Sequence, residues 1–282
     1  MLRFSLVTPS LNQARYLEDA LRSVLDQDDP AVEYVVADGG STDGSVEIIE
    51  RHADRLSVWW SEPDDGHADA VNKGFARTSG EIMGWLNSDD RLLPHSLELV
   101  REVFTRFPQV QWLTSAFPAT LDEAGRAVRV GHTAGFARAA YRLGLNGVQP
   151  WSRLYFVQQE STFWRRELWD AAGGRLDPAF EPAADFELWA RFFEHAELWT
   201  LDTTLGAFRV HDAQRTATQL DAYRRQAARA LPASTGRSLL AARAISRLPV
   251  EVRRHTDVGW DAPAITWDHK SRDWRLERRP VP

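Results

Sequence analysis

Apolar and polar positions alternate in blocks through the first 115 residues. Phe4 to Thr8 is an apolar run of strand length. Leu17, Ala20, Leu21, Val24 and Leu25 then recur at helical spacing, with Asn12 placed to cap that helix. Glu33 to Ala37 predicts a second strand ending at Asp38-Gly39-Gly40, and Ser41 or Asp43 can cap a helix over Val46 to Ala53. Leu56 to Trp60 predicts a third strand and Asp69 to Arg77 a helix. The strand Glu81 to Leu86 follows and ends at Asn87-Ser88-Asp89-Asp90. Pro94 opens a helix with Leu97, Val100, Phe104 and Phe107 on one face, before a strand over Val110 to Ser115. This alternation predicts an α/β domain whose mainly parallel, Rossmann-like central sheet is flanked by helices. Ligands of such sheets bind beyond the carboxyl ends of the strands. Thr8-Pro9-Ser10, Asp38-Gly39-Gly40 and Asn87-Ser88-Asp89-Asp90 all fall at such ends.

The second half is less regular. Leu121 to Arg126 predicts a hairpin turn, Gly135 to Leu145 a helix, and Gln158 to Trp164 a strand. Glu167 to Ala172 and Ala184 to His195 predict helices, Leu198 to Val210 a strand, and Gln214 to Ala230 a further helix. Beyond Pro232 periodicity is weak. The expectation is one domain over residues 1–231, in two halves at about 1–115 and about 116–231. A helical or irregular C-terminal extension, 232–282, packs on or beside it.

Composition narrows the classes. The chain has 282 residues, 43% hydrophobic and 26% charged, as in a soluble globular protein. No apolar run has membrane-spanning length, and no signal-peptide pattern opens the chain, so a cytoplasmic location is expected. The absence of cysteine excludes disulfides and thiolate metal sites. A net charge of −6 argues against a nucleic-acid partner. All but Lys73 and Lys270 of the 34 basic residues are arginine, with pairs at Arg224-Arg225, Arg253-Arg254 and Arg278-Arg279. That basic C-terminal region is a candidate contact for a membrane surface at the inner face or for a second copy, although solvated arginine helices are commoner.

Several residues carry candidate chemistry. Asp89-Asp90 can hold a hard divalent cation, which prefers oxygen ligands, or can simply cap the next helix. Asp38 with Gly39 can approach a base or ribose closely, or can form a turn. The polar stretch Asp64 to Gly74 contains Asp65, Asn72 and Lys73. Lys73 can contact phosphate or lie exposed near a helix end. Most of the twelve tryptophans are expected in packing, with Trp151 and Trp164 the candidates for lining a ligand pocket, where the resemblance below implies a sugar.

The set Thr8-Pro9-Ser10-Leu11-Asn12, Asp38-Gly39-Gly40-Ser41-Thr42-Asp43-Gly44-Ser45, Asp65-Gly66 through Asn72-Lys73-Gly74, and Leu86-Asn87-Ser88-Asp89-Asp90 resembles family 2 glycosyltransferases in order and spacing. The resemblance spans roughly residues 3–212. It implies a GT-A fold, an inverting reaction, a nucleoside diphosphate sugar (UDP-sugar favoured) and Mn²⁺ or Mg²⁺. It places Thr8, Pro9, Ser10, Asn12, Asp38, Gly39, Asp65, Asn72, Lys73, Asn87 and Asp89 on the nucleotide sugar, and Asp90 on the metal. His211 is similar to a histidine near the metal or diphosphate in such enzymes, and a structural histidine is the alternative. Gln159, Glu160 and Trp164 resemble the acceptor side. Ala184 to Trp189 resembles the catalytic-base motif, with Asp185 the base and Glu187 the alternate. Asn87 departs from the commoner acid at the head of the acidic motif, which blurs the division between Asp89 and Asp90. The implied acceptor is a glycan, a lipid-linked sugar or a small molecule, in bacterial surface polysaccharide or glycoconjugate synthesis. A nucleotidyltransferase and a non-catalytic sugar-nucleotide or glycan-binding scaffold are the competing readings.

Overall fold

The computed structural model describes residues 1–150, 152, 154–212, 214–232, 236–245 and 261–281. Trp151 and the Arg253-Arg254 pair lie outside the described residues. The predicted alternation is realised as β1 (Phe4–Ser10), α1 (Ala14–Leu25), β2 (Val32–Asp38), α2 (Ser45–Arg51), β3 (Val58–Ser61), α3 (His67–Phe75) and β4 (Ile82–Trp85). A two-residue strand β5 (Arg91–Leu92), α4 (Ser96–Arg106) and β6 (Trp112–Ser115) complete the first half. The second half holds β7 (Ala119–Leu121), β8 (Ala127–Val130), α5 (Arg138–Arg142), β9 (Phe163–Arg165), α6 (Arg166–Ala171) and α7 (Ala184–His195). It continues with β10 (Leu198–Leu201), β11 (Gly206–Arg209), α8 (Arg215–Ala230), α9 (Gly236–Ile245), β12 (Asp261–Asp268) and β13 (Asp273–Pro280).

Among the described residues the main sheet has nine strands in the order β13-β12-β10-β6-β9-β4-β1-β2-β3. β1 pairs parallel with β2 on one side and with β4 on the other. The strand order therefore reverses at β1, where a doubly wound sheet opens its crevice. Register sets Ser10 beside Asp38 and Val7 beside Trp85. The acidic motif that follows β4 thus emerges next to the end of β1. A second sheet, β5-β11-β7-β8, flanks this end.

Side chains alternate across the strands and feed two cores. Phe4 and Leu6 of β1 join Leu17, Leu21, Val24, Ile48, Val100 and Phe104 on the face covered by α1, α2 and α4. Val7 of β1 joins Val71, Phe75, Trp85, Trp164, Trp189 and Phe192 on the face covered by α3, α6 and α7. Period-2 strands between period-3.6 helices require this two-faced burial. Gly74 makes one contact possible: a Cβ there would come within 2.5 Å of Val7 Cγ1, so α3 lies directly on β1.

Four local expectations differ from the structure. Asn12 has a left-handed φ of 53° and makes no cap; Gln13 is the N-cap residue of α1. The Ala14 N–H is instead taken by Asp43 Oδ2 at 2.9 Å, while Asp43 Oδ1 accepts from Ser45 N–H at the start of α2. The strand expected over Gln158 to Trp164 is a 3-10 turn at Gln159–Ser161 followed by β9 alone. The run Leu198 to Val210 is two strands in two sheets, broken by a tight turn closed by Thr203 N–H to Leu201 O at 2.7 Å. The C-terminal extension contributes α9 and then the antiparallel pair β12–β13, and β12 joins the main sheet through β10.

Candidate active site

Sequence separates the site residues by up to 200 positions, and the ends of β1, β4 and β11 gather them. The loop after β1 and the loop after β2 are laced together. Asn12 Oδ1 accepts from Thr42 N–H at 2.9 Å, and Asn12 N–H donates to Ser41 Oγ at 2.7 Å. Asp38 is buried and its carboxylate takes four donors: the N–H groups of Gly40 and Ser41 and the hydroxyls of Ser41 and Ser61. Gly39 follows, and a Cβ there would come within 2.9 Å of the Asp64 carboxylate. Asp38 thus organises the cradle. Thr8 is also buried, its hydroxyl 2.8 Å from the Tyr34 hydroxyl, behind Pro9 and the Ser10 hydroxyl, which has no protein partner.

α3 uses its polar residues differently from the sequence expectation. Asn72, expected on the nucleotide sugar, clamps the Leu176 backbone with both amide atoms, at 2.9 and 2.8 Å. Lys73, expected on phosphate, has its Nζ 2.6 Å from Asp69 Oδ2, one helical turn away. Asp65 is exposed, and its N–H donates to the same Asp69 carboxylate at 3.2 Å. Sequence reasoning missed His67, whose Nε2 lies 3.0 Å from Asn87 Oδ1, and Glu181, whose Oε1 accepts from His67 N–H at 3.2 Å. His67 stands within the polar stretch Asp64 to Gly74, but nothing local ties it to Asn87.

The two motif acids have different surroundings. Asp90 is 1% exposed; its Oδ1 accepts from Arg209 N–H at 2.9 Å and its Oδ2 from Asn87 Nδ2 at 3.2 Å. Burial, with Asp89 and Glu160 nearby, holds the Asp90 carboxyl well above the usual carboxylate range. Asp89 is more open, and its Oδ2 lies 2.9 Å from His211 Nε2. Arg209, also missed by sequence reasoning, fixes this motif from behind. Its Nε donates to Asp89 O at 2.7 Å, its NH2 pairs with Asp19, and its guanidinium lies over the Tyr16 ring. Tyr16 also packs on His211 at 4.6 Å. The signal available was the position of Arg209 two residues before His211.

Fit to a divalent cation rests on the Asp89–His211 pair. Adjacent ligand atoms of an octahedral Mg²⁺ lie about 3 Å apart, because each bond is about 2.1 Å. Asp89 Oδ2 and His211 Nε2 are already at that spacing. Among the described residues no three His, Asp or Glu side chains converge as a complete cage. A cation there would take its remaining ligands from phosphate and water, as Mg²⁺ characteristically does.

Asp185 lies in the first turn of α7. Tyr223 of α8 donates to its Oδ2 at 3.3 Å, and its Oδ1 is shielded from solvent with no donor among the described residues. Burial pushes the Asp185 carboxyl up to about 6. Glu187 is engaged elsewhere: both of its oxygens lie 2.7 Å from the Arg191 guanidinium. Glu160 sits in the 3-10 turn before β9, 3% exposed, and its charge is felt together with those of Asp89 and Asp185. Gln159 beside it donates to Trp85 O at the end of β4. Trp164 is a correction to the sugar-contact expectation. It is 0% exposed within a cluster of Phe75, Trp85, Trp169, Trp189 and Phe192, because β9 lies between β4 and β6 and turns this residue into the core.

Comparison with known proteins agrees with this architecture. Residues 5–142 match the family model for Glycosyl transferase family 2. A putative teichuronic acid biosynthesis glycosyltransferase, TuaG of Bacillus subtilis, is 38% identical over 97 residues, covering 33% of this chain and 38% of TuaG. The matched segments span about a third of the length of such curated relatives. S. aureus TarS in complex with UDP-GlcNAc superposes with a TM-score of 0.60 at 18% identity, covering 77% of this chain and 61% of that one. The mannosyltransferase PcManGT from Pyrobaculum calidifontis, in complex with GDP-Man and Mn²⁺, superposes at 0.59 and 18% identity, covering 90% and 72%. At such identities these structures establish the GT-A fold.

Proposed function

The chain belongs to glycosyltransferase family 2, and on that premise we propose that it transfers a sugar from a nucleoside diphosphate sugar to an acceptor hydroxyl with inversion at the anomeric carbon. The observation that carries the reading is Asp185 Oδ1, buried and without a donor among the described residues, on a carboxyl whose charge acts on Glu160 together with that of Asp89, the partner of His211. The acceptor oxygen forms the new bond to the anomeric carbon while the bond to the diphosphate oxygen breaks. The electron pair leaves with the diphosphate, and Asp185 Oδ1 takes the acceptor proton. A divalent cation held by Asp89 and His211 would neutralise charge developing on the leaving diphosphate. Mn²⁺, which accepts imidazole nitrogen as well as carboxylate oxygen, suits that mixed set better than Mg²⁺, which prefers oxygen ligands alone. Asp90, with its oxygens already engaged, supports Asp89 from behind through Asn87 and Arg209. The loops after β1 and β2 form the nucleotide cradle, with Thr8, Pro9, Ser10, Asn12, Asp38 and Gly39 shaping its floor. UDP is the favoured nucleotide, supported by TarS with UDP-GlcNAc, and GDP is second, supported by PcManGT with GDP-Man. The TuaG likeness favours surface polysaccharide as the product. Among the described residues no helix is long and apolar enough to cross a membrane.

Titration calorimetry of UDP and GDP, each with and without Mn²⁺, tests the donor site. Binding is expected only with the cation. At about 100 times the dissociation constant the ligand should stabilise the fold by about 2.7 kcal/mol, read as a higher melting temperature. Asp89→Asn and His211→Ala should each weaken cation-dependent binding. Asp90→Asn should leave cation-dependent binding in place and melt close to the parent, since its amide oxygen can still accept from the Arg209 N–H while a carboxyl whose charge burial disfavours is removed. A normal melting temperature with lost cation dependence in Asp90→Asn would return the ligand role to Asp90. The competing scaffold reading predicts donor binding with no metal-dependent hydrolysis of any nucleotide sugar, and donor turnover without acceptor sinks it.

A further inference from the structure

We propose that Glu160 binds a hydroxyl of the transferred sugar and so reads which sugar the donor carries. The inference rests on the glycosyltransferase reading above and adds a residue to it. Glu160 is rigidly placed. Gly206 of β11 has no Cβ, and one built there would come within 2.5 Å of the Glu160 carbonyl oxygen. The Gly206 N–H donates to Ser161 Oγ at 3.1 Å, and the Thr162 hydroxyl donates to Gln158 O at 2.7 Å. The Gln159 amide is held by Trp85 O. The turn is therefore fastened to β4 on one side and β11 on the other, and the Glu160 side chain is presented from a fixed backbone.

One oxygen of that side chain is left without an internal partner. Glu160 is 3% exposed, yet among the described residues no donor reaches its Oε1. Gln158 Oε1, Gln159 Oε1 and Asp185 Oδ1 are shielded and unanswered in the same way. A buried acceptor without a donor is costly, so folded proteins rarely carry several close together without a ligand or water to answer them. Such a row calls for a ligand rich in hydroxyl donors, and a sugar ring is one. Location agrees. The turn that carries Glu160 is fastened to Trp85 at the end of β4, whose following loop holds Asp89, and to β11, whose end leads to His211, so Glu160 lies at the same strand ends as the diphosphate side of the site. Burial pushes the Glu160 carboxyl up to about 8, with Asp89 and Asp185 adding to the rise. In either protonation state it can accept a hydrogen bond from a sugar hydroxyl.

The test compares Glu160→Leu and Glu160→Gln with the parent chain. Leucine keeps similar bulk and removes an unsatisfied buried carboxyl, so the variant should fold with an unchanged or higher melting temperature. Calorimetry with Mn²⁺ then measures UDP against UDP-glucose, UDP-galactose and UDP-GlcNAc, or GDP against GDP-mannose if the parent binds GDP. Glu160→Leu should weaken nucleotide-sugar binding about tenfold or more and level the preference among sugars, because a polar contact worth about 1.4 kcal/mol is a factor of ten. The nucleoside diphosphate alone should bind as before. Glu160→Gln should recover part of the sugar affinity. Equal losses for the diphosphate and its sugar conjugates would make Glu160 a structural or cation-site acid and overturn the proposal. So would unchanged sugar affinity and preference in Glu160→Leu. A parent chain that binds no nucleoside diphosphate at all would instead bring down the donor-site reading, and this inference with it.

Discussion

At the residue scale the two candidate bases separate by their partners. Asp185 keeps Oδ1 free of protein donors, whereas Glu187 is closed in a two-point contact with Arg191. Asp185→Asn should lower transfer by about 10²–10⁴-fold, because asparagine cannot take the acceptor proton. Donor binding should be unchanged, so the loss appears in turnover. Glu187→Gln should retain turnover and lose stability instead. A live Asp185→Asn with a dead Glu187→Gln would exchange the roles. The raised Asp185 carboxyl also fixes a pH limb. The base works only when ionised, so turnover should fall as pH drops through about 6 and level off above it. The stability sign is opposite. The unfolded group releases its proton near 3.9 and the folded group near 6, so this residue removes stability as pH rises between those values. Asp185→Asn should therefore melt no lower than the parent at pH 8.

At the element scale the seat of α3 on β1 decides where the polar loop before it can stand. Gly74→Ala sets two effects against each other. Alanine favours the helix by about 1 kcal/mol. Its Cβ, however, would fall 2.5 Å from Val7 Cγ1 and 2.8 Å from Val7 Cγ2, and overpacking a filled core costs about 1–3 kcal/mol. Crowding by a buried β-strand side chain wins, so Gly74→Ala should destabilise by about 1–2 kcal/mol in urea unfolding. Adding Val7→Ala should give a positive coupling, the double variant losing less than the two singles together. Strict additivity would mean that α3 does not press on β1. β11 shows a similar economy of space, since Gly206 touches Glu160 from one side while Arg209, three residues on, fastens Asp89 and Asp90.

At the scale of the whole molecule the C-terminal pair β12–β13 is part of the sheet. Ala262, Ala264 and Ile265 are buried, Ala264 and Ile265 lie beside Thr200 and Leu201 of β10, and Trp274 reaches the core shared with α4. Ion pairs hold it at both ends: Arg106 with Asp273, and Arg279 with Asp202 at 2.7 Å. Removing residues 261–282 should expose the edge of β10 and strip apolar area worth several kcal/mol, at about 25 cal/mol per Å². The truncated chain is expected to melt markedly lower and to associate on size-exclusion chromatography. A truncated form with the parent's melting temperature would make the pair an appendage after all.

The sequence by itself determined the strand–helix alternation of the first 115 residues, the polar clusters at three strand ends, and Asp185 at the head of a helix spanning Ala184–His195. Those features are local: an apolar run, a periodic face and a capping or turn residue are readable within about ten positions. The hairpin β12–β13 escaped that reading because its outer strand, Asp273-Trp274-Arg275-Leu276-Glu277-Arg278-Arg279-Pro280, carries charges where a buried strand carries apolar residues, and ion pairs accommodate them. Tertiary structure alone decided which partners the acids meet. Asp89 and Asp90 are neighbours with the same side chain. One meets His211 and the other meets the backbone of Arg209, each about 120 positions away. Asn72 went to Leu176, Lys73 to Asp69 and Trp164 to the core for the same reason. A side chain's chemistry is written in its residue type, but its partner is chosen by packing, and only the folded chain brings the candidates within the 3 Å at which hydrogen bonds form.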